Sequence, residues 1–65
     1  MFTVVLTTPL GHKYWMKAQD GLTITYEWVG LKNNGTVFGP QQDAIEHRAF
    51  AKRKEPYSKI TIENA

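Results

Sequence analysis

A chain of 65 residues makes one domain, spanning 1–65, and leaves room for only a thin core. A domain of this size buries about 60% of the surface its unfolded chain exposes. The absence of cysteine excludes disulfides and Cys-based metal sites and leaves the redox compartment open. Eight Lys and Arg against six Asp and Glu give a net charge of +2, well short of a basic tail.

The opening Met1-Phe2-Thr3-Val4-Val5-Leu6 has no positive leader and too short an apolar run for a signal peptide. No run reaches membrane-spanning length, so a cytoplasmic protein that does not engage the membrane is expected. Residues 2–8 alternate as a strand, with Phe2, Val4 and Leu6 on one face. Thr8-Pro9-Leu10-Gly11 ends it in a loop, because proline fixes φ and glycine permits a reversal. Residues 12–18 read as a second strand. Asp20-Gly21 then turns the chain into residues 22–29, Leu-Thr-Ile-Thr-Tyr-Glu-Trp-Val. That stretch is the richest in β-branched and aromatic residues and is expected to be the central strand.

Asp20-Gly21 and Asn34-Gly35 both suit two-residue hairpin turns. The first turn sets Ala18 opposite Thr23 and Trp15 opposite Tyr26, which puts Lys13, Trp15, Lys17, Leu22, Ile24, Tyr26 and Trp28 on one face. The second pairs Leu31 with Phe38 in a short fourth strand, with Lys32 and Val37 joining the first face unless Gly30 forms a bulge.

Gly39 as cap and Pro40 as first residue open a helix that ends by Lys54, since Pro56 disfavours helical geometry at Glu55. Ala44, Ile45, Ala49, Phe50 and Ala51 are its apolar candidates. Residues 57–63 form a last strand with Ile60 and Ile62 buried. The order β-β-β-β-α-β predicts an α+β fold: an antiparallel sheet in the order 5-1-2-3-4, with one helix on one face.

One helix covers one sheet face, yet neither predicted face is cleanly polar. An ordinary explanation is available: lysine stems lying along aromatic rings on a solvated face. A contact surface is the sharper one, because Trp and Tyr dominate binding energy where they are exposed. The candidate contact residues are Lys13, Trp15, Lys17, Tyr26, Trp28 and Lys32 on the sheet, with Arg48 and Lys52 on the helix. The expected function is a small protein-binding module whose partner is a host protein or a second copy. Its size is that of inhibitors and adaptors used by phages and mobile elements.

Nucleic-acid binding through the same face is the alternative, with bases stacking on the rings and phosphates meeting the lysines. Against it, the basic second half of the helix simply complements the helix dipole. Arg48 and Lys52, four residues apart, nonetheless repel each other and invite an anionic or acidic neighbour.

No catalytic role is expected. His12 and His47 lack motif context, and Ser58 is the only serine. Asp43 and His47 are two ligands where a metal needs more, so neither a metal nor a cofactor is expected. Asn34-Gly35-Thr36 matches a glycosylation sequon but reads as turn sequence.

Overall fold

The computed structural model describes residues 1–65. The alternating N-terminal segment forms β1, Phe2–Thr7. It ends where Thr8 and His12 bond across a loop in which Gly11 takes φ +88°, a left-handed conformation that favours glycine. β2 spans Lys13–Asp20 and β3 spans Ile24–Val29. After the helix α1, Gln41–Lys54, the chain returns as β4, Lys59–Asn64. The four strands form one antiparallel sheet in the order β3-β2-β1-β4. The fold is therefore α+β, with the last strand beside the first, as the sequence predicts.

The helix starts at Gln41, with Pro40 rather than Gly39 at the cap position, because Pro40 sits in extended backbone at ψ 136°. It stops at Lys54, as Pro56 requires. Ala44, His47 and Ala51 form its buried stripe, at i, i+3 and i+7. The two alanines admit the helix close to the sheet. Ile45 turns outward instead. Val4, Met16, Phe38, Ala44, Ala51 and Ile60 make the core, flanked by Phe2, Leu6, Tyr26, Trp28 and Ile62.

The expected fourth strand does not form beside β3. Lys32–Asn34 make a single 3-10 turn instead, and Gly35 is extended at φ −81°. The physical reason lies between β1 and β2. These strands pair only at Val5, Leu6 and Thr7 against Trp15, Tyr14 and Lys13, and then diverge. Residues 36–38 fill the fork. The Phe2 and Phe38 backbones exchange two hydrogen bonds of 2.8 Å, Thr36 N–H donates to the Met16 carbonyl, and Thr36 Oγ1 accepts from Ala18 N–H. As a wedge the segment is bonded on both sides, whereas as an edge strand it would be bonded on one.

The β2–β3 register also departs from expectation. Ala18 stands opposite Tyr26 rather than Thr23, a slip of 26 − 23 = 3 residues, and Met16 stands opposite Trp28. Gly21 does not take a positive φ, so the Asp20-Gly21 turn is not made, and the hairpin reverses around Leu22. An odd slip moves every β3 side chain to the other face. It carries the Tyr26 and Trp28 rings to the helix side of the sheet, where they pack against the core and lose part of their apolar surface to it.

Candidate binding face

The face turned away from the helix carries Thr3, Val5 and Thr7 of β1, and Lys13, Trp15 and Lys17 of β2. Thr25, Glu27 and Val29 of β3 continue it, and so do Lys59, Thr61 and Glu63 of β4. No second layer covers it, yet Thr3 and Val5 are buried. Trp15 lies directly opposite Val5 on one side and Val29 on the other, and is itself half-buried. The turn after β3 comes back against this ring. A Cβ at Gly35 would lie 2.8 Å from the Trp15 Cβ, so only glycine fits. The same segment leaves Leu31 and Val37 exposed, at 66% and 51%.

Two lysines of this face have carboxylate neighbours. Lys13 Nζ lies 3.0 Å from Glu63 Oε2, and Lys17 stands opposite Glu27. Lys32 is exposed on the 3-10 turn. Trp15 thus shares its face with Lys13 and Lys17, while Tyr26 and Trp28 occupy the opposite one.

Tyr26 and Trp28 are held by a residue the sequence reading passed over. Glu55 Oε2 accepts from the Tyr26 hydroxyl at 2.5 Å and from Trp28 Nε1 at 2.9 Å. The rings meet edge to face at 5.4 Å, and Phe50 of the helix packs on Tyr26. Burial, followed by the bond to Glu55 and its charge, pushes the Tyr26 phenol up to about 12. Glu55 follows the last helical residue and precedes Pro56, a position the sequence marks only as a helix stop.

Arg48 and Lys52 also have partners. Arg48 Nε donates to the Ile60 carbonyl at 2.8 Å, and Lys52 Nζ to the Ser58 carbonyl at 2.5 Å. These carbonyls belong to the chain entering and forming β4, an edge strand. The like-charged pair is accommodated by main-chain oxygens.

His47 is buried on the helix. Its Nδ1 is 2.7 Å from the Asp43 carbonyl, its Nε2 is 2.9 Å from Asp20 Oδ1, and the Phe38 ring lies against it. Both ring nitrogens face acceptors, which suits the doubly protonated ring. Burial pulls its pKa down, but the bonds to Asp20 and the Asp43 carbonyl, with both carboxylate charges, raise it overall.

Two shallow clefts mark the surface. Lys17, Gln19, Thr25, Tyr26 and Glu27 line one, of about 200 Å³. The other, at the far end of the sheet, runs between Leu6, Pro9 and Tyr57. Neither contains a histidine. No three His, Asp or Glu side chains converge as metal ligands, and no helix is long and apolar enough to cross a membrane.

No protein-family model matches the chain. Searches of curated proteins and of solved structures likewise give no significant match.

Proposed function

We propose that the chain is a small non-catalytic protein-binding module that meets its partner through the outer sheet face, around Trp15. The observation that carries this reading is the half-buried Trp15 on a face no helix covers, with Leu31 and Val37 exposed on the segment that packs against it. A Trp in such a setting typically anchors an interface, and lysines such as Lys13, Lys17 and Lys32 form its polar rim. A host protein as partner, a cytoplasmic setting and a phage-type inhibitor or adaptor role belong to the same proposal, and size alone suggests the last.

Nucleic-acid binding has less support. Arg48 and Lys52 each direct a donor to a main-chain carbonyl beside β4, away from the Trp15 face, Lys13 is paired, and Trp15 is the one aromatic ring left on the lysine face.

The test places a photo-crosslinking residue at Leu31 and compares adducts formed in cells with and without Trp15→Ala. A protein adduct lost on Trp15→Ala, with the circular dichroism unchanged, is expected. A loss of about 2 kcal/mol or more of binding energy is typical of a Trp anchor. Adducts indifferent to Trp15 sink the reading, and adducts that vanish with nuclease or moderate salt replace it with the nucleic-acid one.

A further inference from the structure

The two edges of the sheet are treated differently. Arg48 donates to the Ile60 carbonyl of β4, and Lys52 to the Ser58 carbonyl just before that strand. Nothing equivalent covers β3. The pattern on β2 says which β3 groups face outward. Met16 carbonyl and Ala18 N–H bond to Thr36, on the side away from β3. Met16 and Ala18 therefore form non-hydrogen-bonded pairs with Trp28 and Tyr26, whose own N–H and C=O groups then point to the free edge. By alternation Ile24 joins them. No hydrogen bond outside the sheet ladder engages the main chain of these three residues.

We propose that this edge pairs with a second copy of the chain, β3 against β3 in antiparallel register about Tyr26. This surface is separate from the Trp15 face. The register follows from the sequence of the strand. Centred on Tyr26, the three outward residues of each copy face one another, with Ile24 opposite the partner copy's Trp28. Glu27, the single charge on β3, falls opposite Thr25. Centred one residue later, the two Glu27 side chains would oppose each other, a like-charge pair that destabilises a ladder. The Tyr26 register also extends the aromatic row on the helix side from one copy into the next. The helices leave room for it. Each packs chiefly over β1 and β4. The two β1 strands would stand five strand spacings apart, about 24 Å.

Light scattering across a concentration series, on chemically synthesised protein, tests this. The unmodified chain is expected to dimerise. N-methylation of the Tyr26 amide, which removes one outward N–H and keeps every side chain, is expected to leave a folded monomer. Thr25→Glu should weaken the dimer roughly five-fold and Thr25→Lys should tighten it, since position 25 faces Glu27 of the other copy. A chain still monomeric at millimolar concentration overturns the proposal. So does a dimer that survives N-methylation, or one that Trp15→Ala dissolves while N-methylation does not; the last outcome assigns self-association to the outer face.

Discussion

Glu55 joins α1 to β3 through one oxygen atom. It leaves the end of α1 and receives both polar atoms that the β3 aromatics carry. Rings buried for their apolar surface bring a hydroxyl and an indole N–H with them, and each must be satisfied. Glu55→Ala strands both donors, at a cost of about 1–3 kcal/mol, so a melting temperature several degrees lower is expected. Glu55→Gln separates charge from contact. The amide oxygen still accepts, but the carboxylate charge is gone. The Tyr26 phenol, pushed up to about 12 by burial and then by Glu55, should lose the part that the Glu55 charge supplies and move toward its ordinary value of 10. Ultraviolet absorbance during alkaline titration reads this directly, and an unchanged Tyr26 midpoint in Glu55→Gln would count against the clamp. That Trp15 shares a face with Lys13 and Lys17 was legible in the sequence, from simple alternation along one strand. Its separation from Tyr26 and Trp28 was not, because that depends on pairing.

At the level of elements, the strands and helix were legible because their signals are local. β-branched and aromatic residues mark β3, and Pro56 limits α1. What misled was the turn chemistry. Asp20-Gly21 and Asn34-Gly35 both permit a two-residue hairpin, and the chain makes neither. Each loop is decided by long-range pairing: the first by burial of Tyr26 and Trp28, the second by the vacancy between β1 and β2. Gly35 is there for space and not for conformation, since its φ of −81° suits any residue. Gly35→Ala should therefore destabilise by about 1–3 kcal/mol, as overpacking does, through the 2.8 Å approach to Trp15 and the 3.3 Å approach to the Met16 carbonyl. Denaturant unfolding measures it. A neutral result would mean that the 3-10 turn shifts freely, and would loosen the case for Trp15 as a fixed anchor.

Across the whole molecule, His47 ties the helix to the far end of β2. Its folded pKa lies above the ordinary 6.5, so the native state holds the proton more tightly than the unfolded chain. Its contribution to stability is complete below 6.5 and is lost as pH rises through the folded value. Asp20 is largely exposed, with 66% of its side chain accessible, so the effect is about 1 kcal/mol or less. Thermal unfolding should show stability falling as pH rises from 6.5, and His47→Gln should flatten that slope. A slope identical in the variant would assign the pH dependence elsewhere. The sequence offered no hint of this pair, because Asp20 looks like a turn residue and His47 interrupts an apolar stripe.

The wedge of residues 36–38 also constrains how the chain reaches this state. The β1–β2 and β2–β3 reversals close short loops, while the Phe2–Phe38 bridge must close one of more than thirty residues. The three-strand meander is therefore expected to assemble first, as a fork with one open end. Only when the wedge seats does Phe38 enter the core, and Gln41 begins the helix just beyond it. β4 then has a finished β1 to join. The order of assembly is written in the gap between two strands, and the slowest step of folding is expected where that gap closes.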